Sequence, residues 1–469
     1  MRVDKKIKIK RAIMILLLIA AAAVVALVIY SIDSLGESVK FEMVHSEVLL
    51  IVIVFLIALP ILMLILFLAW AVDRKKKRKN PSRVVISSNS LISVPASSSP
   101  QSSVEEGETD GSRFCMLSKI DENRRQYEQR KFDNEVSLKR FCDNFRNYAS
   151  NELRLYYDIK DIRRFVAGMA VSHIVILQGM SGTGKTSLAH AMGSFIGNMS
   201  TVIPVQPMWK ERTDLLGYYN EFTKRFNETL LLEKMYEANY AKDIYITVLD
   251  EMNIARVEYY FAEFLSLLEL PNPEERYIDV VSDEWENDPV RLKDGRIKLP
   301  KNMWFIGTAN NDDSTFAISD KVYGRAMILN LDEKSERFSA PKTKPIRLSA
   351  EAFEELVEEA MVEYGITARN LKRLGELDRY LIDHFHITFG NRIMKQIRQY
   401  IPVYVSCGGE ELEALDDILS KKIIRKLETQ NPVYLRNAAE GLCQYLDELF
   451  GNDKMPLCKA AIHRLERNV

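Results

Sequence analysis

The stretch Gly179–Thr186 reads GMSGTGKT, and it decides the fold of this 469-residue chain. Its glycines allow the backbone angles that turn successive amide groups toward a phosphate, and its lysine can reach the β and γ phosphates of a nucleotide. The final threonine hydroxyl can ligate magnesium. The residues predicted to contact phosphates are Gly179, Met180, Ser181, Gly182, Thr183, Gly184, Lys185, Thr186 and Ser187, with Thr186 also a metal ligand.

The sequence on either side of this loop has the expected pattern. The β-branched run Ile174–Leu177 predicts a buried strand that leads into the loop. Residues 186–196 predict a helix, whose positive N-terminal end would face the anion. A chance match to the loop pattern is expected in about one chain in a hundred of this length, and the flanking elements make chance less credible.

A pair of carboxylates follows a second apolar run. Ile244–Leu249 predicts a buried strand, and Asp250 and Glu251 come directly after it. The first carboxylate can hold hydrated magnesium, and the second can polarise the attacking water. A solvated strand end is the alternative for such a pair alone, but its distance beyond a phosphate loop favours a catalytic role.

A third strand is predicted for Met303–Thr308, and it leads to Ala309 and Asn310. Ligands of open α/β sheets bind at the carboxyl ends of the strands. Asn310 is therefore predicted to orient the water or to sense the γ phosphate. The alternative is an asparagine that only forms a turn.

Composition argues against two classes of site. The formal net charge is −1, but residues 1–11 and 73–79 are strongly basic, so the remaining body is acidic. A broad nucleic-acid-binding surface is therefore not expected and direct nucleic-acid binding is doubtful, with a local basic pore as the alternative. The five cysteines contain no C-x-x-C pair, and the six histidines have no metal-ligand spacing, which argues against a zinc site or a disulfide framework.

The N-terminal 79 residues predict a membrane hairpin. Residues 12–30 and 48–72 are uncharged apolar runs of about the length that a helix needs to cross a bilayer. Cations flank their outer ends and the connecting loop is acidic, which predicts both termini in the cytoplasm and a bacterial inner-membrane location. The alternatives are a cleaved signal peptide for the first run, and a nucleic-acid patch or nuclear signal for Arg74–Lys79.

The phosphate loop, Leu249–Asn253 (LDEMN) with the helix Val257–Leu265, and Gly307–Asn310 (GTAN) together resemble AAA+ ATPases. More narrowly, they resemble the dynein-related branch that contains McrB-like restriction motors and MoxR-like chaperones. The resemblance covers roughly residues 165–450. It implies an α/β fold, an AAA+ P-loop domain with a five-stranded parallel sheet and flanking helices, followed by a C-terminal helical lid.

The resemblance also implies a ring, expected to be a hexamer, with active sites between subunits. In this branch an arginine of the neighbouring subunit completes the site, and Arg325 lies where it is expected, in Asp320–Arg325 (DKVYGR). Arg392 opens a helix where many members keep a lid arginine that faces the γ phosphate. The alternatives are an ordinary surface arginine for Arg325 and a solvated helix start for Arg392.

The sequence departs from the McrB-like pattern in two places. The several consecutive arginines of the finger segment are reduced to Arg325, between Gly324 and Ala326. The GTP-associated signature MNTADRS appears as Ala309–Thr315 (ANNDDST), in which only Asn310 and Asp313 match among its distinctive residues. ATP with Mg²⁺ is therefore the predicted nucleotide and cofactor.

Two further segments lie between the strand motifs. Asp214–Tyr219 (DLLGYY) resembles a family segment near the ring pore, so Tyr218 and Tyr219 are predicted either to contact a threaded polymer or to pack internally. Residues 290–299 (VRLKDGRIKL) predict a β-hairpin around Asp-Gly.

The predicted organisation is a membrane hairpin (1–79), a disordered Ser/Pro-rich linker (80–113), a helical lead-in (114–166), the AAA+ domain (167–333), and the lid with C-terminal helices (334–469). The leading functional hypothesis is a membrane-anchored ATPase that remodels or activates a separately encoded effector or client. Its variants are the motor of a McrB-like defence system, a MoxR-like chaperone, and a GTP-specific motor. The hypothesis from another class is a slow nucleotide-dependent switch or scaffold.

Overall fold

The computed structural model of the protein describes residues 112–310, 315–332 and 335–467. The predicted membrane segments, the linker as far as residue 111, and Asp313 lie outside these residues. Among the residues that are described, no helix combines the length and the apolar character needed to cross a bilayer.

The centre of the described chain is a five-stranded parallel sheet with the order β10-β1-β9-β5-β2. Its carboxyl ends meet at one edge, where Gly179 lies opposite Asn310, and Pro204 opposite Asp250. The prediction of a five-stranded parallel sheet is therefore confirmed. The strands are β1 (Ile174–Gly179), β2 (Thr201–Pro204), β5 (Tyr245–Asp250), β9 (Met303–Asn310) and β10 (Met327–Asn330).

Helices cover both faces of this sheet, which explains why its strands read as continuous apolar runs. Val175 and Leu177 pack into the core on one face, whereas Ile174 and Ile176 pack into the core on the other. The helices on the first face are α3 (Leu138–Leu153), α4 (Ile159–Val171) and α5 (Lys185–Phe195). Those on the second are α1 (Met116–Glu122), α6 (Thr213–Leu216), α7 (Leu230–Ala238), α8 (Val257–Tyr260), α9 (Ala262–Leu267) and α10 (Asp320–Tyr323).

The segment before the sheet shares its core. The short helix α2 (Arg125–Glu128) precedes α3, and Ser137 caps α3 by accepting a hydrogen bond from the Arg140 amide. The Phe141 and Phe145 rings of α3 lie with their centroids 5.4 Å from that of Phe195 in α5. Helix α4 crosses residue 167, the predicted start of the nucleotide-binding domain.

Two small antiparallel sheets project from the strand connections. One pairs β3 (Gly217–Asn220) with β4 (Arg225–Glu228), and the other has the order β6-β8-β7. The turn between β7 (Leu292–Lys293) and β8 (Arg296–Lys298) has φ of 50° at Asp294 and 71° at Gly295. Positive φ at both central residues is the twist that a two-residue hairpin needs, so the predicted hairpin is confirmed. Strand β6 is Tyr277–Asp279.

The chain beyond residue 345 is helical, as predicted. The sequence pattern predicts helices over residues 350–364, 371–385 and 392–405, and α11, α12 and α13 coincide with them within three residues at either end. These helices bury side chains in the same core as one face of the sheet. The six helices are α11 (Ala350–Glu363), α12 (Ala368–Phe385), α13 (Gly390–Ser406), α14 (Glu411–Lys422), α15 (Pro432–Phe450) and α16 (Pro456–Arg467).

Acidification is expected to destabilise the fold through His173, which precedes β1. Burial, with a contribution from Arg276, lowers the pKa of His173 to about 4. Between pH 6.5 and pH 4 the unfolded chain therefore binds a proton that the folded chain refuses, and stability falls as pH falls. The expected loss from pH 7 to pH 5 is on the order of 1–2 kcal/mol, allowing for partial solvent contact.

The measurement is denaturant unfolding at the two pH values, with His173→Gln as the comparison. The variant should lose the part of the pH dependence that His173 supplies. An unchanged pH dependence in the variant would assign the effect to other groups.

Candidate nucleotide-binding site

The phosphate-loop segment joins the end of β1 to the start of α5. Gly179 has a φ of 143°, and a Cβ atom there would lie 2.4 Å from the Leu331 carbonyl oxygen, so no other residue fits. The loop leaves Met180, Ser181 and Gly182 exposed, with Thr183, Gly184 and Ser187 half-buried. Its amides and the N-terminus of α5 are thus presented at the surface, as an anion site requires.

Lys185 is buried inside this loop. Only 6% of the residue is exposed, and its Nζ donates to the carbonyl oxygens of Gly179 (2.9 Å) and Met180 (2.7 Å). The Tyr157 hydroxyl donates to the Gly184 carbonyl oxygen at 3.1 Å from the other side. The ammonium is therefore already held within the loop, where phosphate oxygens can replace carbonyl oxygens as its acceptors.

Asp250, at the end of β5, connects the start of α5 with the carboxyl-terminal part of β9. Its Oδ1 accepts hydrogen bonds from the hydroxyls of Thr186 (2.7 Å) and Thr308 (2.8 Å). The structure therefore brings the two predicted metal ligands, Thr186 and Asp250, into direct contact. A carboxylate and a hydroxyl beside a phosphate loop are oxygen donors of the kind that Mg²⁺ takes together with nucleotide phosphates, so the residues present fit that ion.

Glu251 has a left-handed backbone, with a φ of 52°. Its amide donates to the Thr308 hydroxyl at 2.9 Å, and its side chain is exposed beside Asp250. A left-handed conformation is uncommon for a glutamate and persists only where its surroundings enforce it. The turn after β5 thus directs a solvated carboxylate out of the strand, where it can act as a base.

Asn310 ends β9 at the same edge of the sheet. Its carbonyl oxygen accepts from Asn253 Nδ2 (2.9 Å) and from the Thr315 hydroxyl (3.0 Å). Asn253 is 4% exposed, and its Oδ1 has no hydrogen-bond partner among the described residues. The Asn253 amide therefore fixes the backbone that carries Asn310.

A cavity of about 1380 Å³ opens at this edge of the sheet. Asn253, Asn310 and Gln178 line its sheet side, while Asp158 and Lys421 belong to the lead-in and the lid. Residues 180–186 do not line it. The volume exceeds that of common small-molecule sites, but the phosphate loop forms no part of its wall.

The two predicted arginines lie together on one carboxylate. Arg325 pairs with Glu269 Oε2 and Arg392 with Glu269 Oε1, each at 2.6 Å. Within the described part of the chain, no hydrogen bond or ion pair joins either arginine to residues 179–187. The structure thus brings Arg392 together with Arg325 on Glu269, and a role of Arg392 at the γ phosphate stays a prediction.

The structure separates the two predicted tyrosines. Tyr219 packs edge-on against Trp285, with ring centroids 6.0 Å apart, and Arg113 lies 5.9 Å from its ring. Tyr218 is 55% exposed on the same strand, and Phe222 in the following turn is 99% exposed. The packing alternative describes Tyr219, whereas contact of Tyr218 with a threaded polymer stays a prediction.

Comparison with known families identifies the domain that contains this site. Residues 174–326 match the family model described as AAA domain (dynein-related subfamily). Residues 174–326 form an AAA+ ATPase domain. This AAA+ domain contains the loop, Asp250, Glu251, Asn310 and Arg325, and it makes the chain a P-loop enzyme that hydrolyses ATP. Residues 345–469, which contain the six lid helices, match a second model, described as a domain of unknown function (DUF8727).

Two solved structures are distantly similar to this chain. A proposed ATPase from Cytophaga hutchinsonii is 13% identical, with a TM-score of 0.42, over 70% of this chain and 98% of its own. A full-length MCM homolog from Methanopyrus kandleri is 12% identical, with a TM-score of 0.35, over 67% of this chain and 61% of its own. No curated protein sequence is significantly similar to this chain.

Sequence reasoning missed four residues of the AAA+ site: Thr308, Asn253, Tyr157 and Glu269. Thr308 and Asn253 stand inside the motif segments GTAN and LDEMN, so their position was a usable signal. Tyr157 and Glu269 act through contacts with residues remote in sequence, and no local pattern marks them.

Thr308→Val is expected to lower kcat about 10- to 100-fold, because the variant keeps the shape but removes the hydroxyl. Glu251 then loses the acceptor of its amide, and Asp250 loses one of its two hydroxyl donors; hydrogen bonds of charged groups are worth about 1.5–3 kcal/mol. Steady-state ATP turnover measures the effect. Thr308→Ser keeps the hydroxyl and should retain most activity, and equal turnover in all three proteins would contradict this role.

Proposed function

We propose that this chain is a membrane-anchored AAA+ ATPase that binds ATP with Mg²⁺ and couples its hydrolysis to the remodelling or activation of a partner. The observation that carries the proposal is the contact of Asp250 Oδ1 with both Thr186 and Thr308. It joins the phosphate loop, the carboxylate pair and the strand of Asn310 into one site.

The roles of the side chains follow from their positions. The loop amides and Lys185 would bind the β and γ phosphates, and Thr186 with Asp250 would hold Mg²⁺. The ion would neutralise charge on the phosphates. Glu251, solvated and adjacent, would take a proton from the attacking water, while Asn310 at the next strand end would orient that water.

Arg325 is proposed to complete the site of a neighbouring subunit in a homo-oligomeric ring of six. In its own subunit its guanidinium pairs with Glu269 at 2.6 Å. A cation brought to a neighbour's γ phosphate would stabilise the charge that develops there.

Mixing two inactive variants tests this arrangement. A Glu251→Gln subunit cannot hydrolyse but still offers Arg325, whereas an Arg325→Ala subunit keeps an intact Glu251. The full-length variants, mixed in detergent, should regain ATP turnover that neither has alone. Absence of recovery would contradict an arginine supplied between subunits.

Membrane anchoring rests on the sequence, since residues 12–30 and 48–72 lie outside the described residues. We expect the full-length protein in bacterial inner-membrane fractions, resistant to alkaline extraction. Protease added to intact spheroplasts should leave both termini protected. Release by alkali would contradict the two predicted spans.

The nucleotide and the partner are the remaining choices. The departures from the GTP-associated signature favour ATP, so turnover with ATP should exceed turnover with GTP. The exposed Tyr218 and Phe222 on the β3–β4 hairpin offer a contact surface for a partner chain. A nuclease encoded beside this gene would favour a McrB-like defence role, and a von Willebrand-type neighbour would favour a MoxR-like chaperone.

A further inference from the structure

The backbone that carries Arg325 is tied to the lid of the same subunit by Lys422. The Lys422 Nζ, at the end of α14, donates to the carbonyl oxygens of Tyr323 (2.7 Å) and Ala326. These carbonyls lie on either side of Arg325 in the chain. The lid thus holds the finger segment, which we define as residues 320–326, on both sides of Arg325.

Other lid residues hold the same segment. Gln396 on α13 donates from Nε2 to the Gly324 carbonyl oxygen at 3.3 Å. Arg425 pairs with Asp320, and its guanidinium lies 3.8 Å from the centre of the Tyr323 ring. The finger segment therefore rests on the lid through backbone carbonyls, a carboxylate and an aromatic face.

Lys422 makes these contacts at an energetic cost. The residue is 5% exposed and has no carboxylate partner among the described residues. Burial, together with the neighbouring cations Arg425, Arg392 and Lys426, lowers its pKa to about 7. A buried lysine without a counter-ion is destabilising in its charged form, so charge neutralisation does not explain its place. Its hydrogen bonds to the finger segment do.

The finger segment also touches the nucleotide site of its own subunit. Gln178 precedes Gly179 at the end of β1, and its Nε2 donates to the Tyr323 hydroxyl. One side of the finger segment is therefore bonded to the strand that leads into the phosphate loop. The other side is bonded to the lid, so the segment lies where both could shift it.

We propose that Lys422 is a positioning residue for Arg325. Through Lys422, the lid of one subunit fixes the position of the arginine that this subunit presents to its neighbour. The inference rests on the proposed function of Arg325 between subunits. Removing the Lys422 hydrogen bonds would free the Tyr323 and Ala326 carbonyls. The guanidinium would then lose its fixed position at the neighbour's γ phosphate.

The test places Lys422→Met in one partner of a mixed ring at a time. The donor subunit carries Glu251→Gln and supplies Arg325, while the acceptor subunit carries Arg325→Ala and hydrolyses. Full-length chains are mixed in detergent, and kcat and KM for ATP are measured. Lys422→Met in the donor should lower kcat about tenfold or more, since charge-assisted hydrogen bonds are lost, with KM unchanged. The same change in the acceptor should have little effect.

Two further variants control for folding. Gln396→Met in the donor removes the neighbouring contact and should lower kcat in the same direction by a smaller factor. Lys395→Met removes an exposed lid cation of α13, adjacent in sequence to Gln396. Its turnover in the donor should match that of the unmodified donor.

The outcomes separate the two proposals. Equal losses from Lys422→Met in donor and acceptor, or a change in KM alone, would overturn the positioning role and leave Arg325 in place. A mixture that shows no turnover before Lys422 is changed would overturn both the shared site and this inference.

Discussion

Glu251→Gln is expected to reduce ATP turnover about 10³-fold while leaving ATP binding unchanged, because an amide cannot take the proton of the attacking water. The substitution keeps the size of the side chain and the left-handed backbone that directs it. It also leaves the Thr308 hydroxyl as acceptor of the backbone amide. The binding residues of the phosphate loop are untouched.

Steady-state turnover and equilibrium binding of ATP, measured on the same full-length preparation, check this expectation. Glu275→Gln, an exposed glutamate away from the site, is the matched control and should behave as the unmodified protein. Undiminished turnover in Glu251→Gln would remove Glu251 as the base. Loss of binding would show that its carboxylate is needed to hold the nucleotide.

Arg325→Ala is expected to lower kcat of the homo-oligomer about 10³- to 10⁵-fold, the range observed for arginines that act between subunits or partners. Arg325→Lys should recover little, because an ammonium lacks the planar pair of donors that binds a phosphate at two oxygens. Arg325→Ala also removes the ion pair with Glu269, so the melting temperature must be measured together with the rate.

Lys321→Ala is the matched control for Arg325, since it removes an exposed cation from the same segment. Size-exclusion chromatography of each variant separates loss of assembly from loss of chemistry. An assembled Arg325→Ala protein with ordinary turnover would contradict the proposal, whatever the behaviour of Lys321→Ala.

The sequence was sufficient for elements whose pattern is local. The apolar runs of β1, β5 and β9 end directly at site residues, and Asp294–Gly295 specifies a hairpin by itself. Strands β2 and β10 were not predicted, because each has four residues, and β2 includes Pro204 at the edge of the sheet. The start of α12 was missed by three residues, although Thr367 caps it by accepting from the Asn370 amide.

The site residues likewise fall into those that a local sequence pattern predicted and those that only the folded structure brings together. The loop and the Asp250–Glu251 pair each occupy consecutive positions, so their residue types and order predicted their grouping. The meeting of Arg325 and Arg392 on Glu269 joins three distant parts of the chain, and only the packed lid defines it. The local sequence of Arg392 agreed equally with a position at the phosphate loop.

Because Glu251 has a left-handed backbone, the residue that would give the highest stability at this position differs from the residue that catalysis needs. Glycine or asparagine would relax that conformation, whereas glutamate holds it at a cost on the order of 1 kcal/mol. Selection for thermal robustness alone would favour replacement, and selection for turnover forbids it. Variants selected only for stability would therefore tend to lose Glu251, and they would bind the nucleotide stably without hydrolysing it.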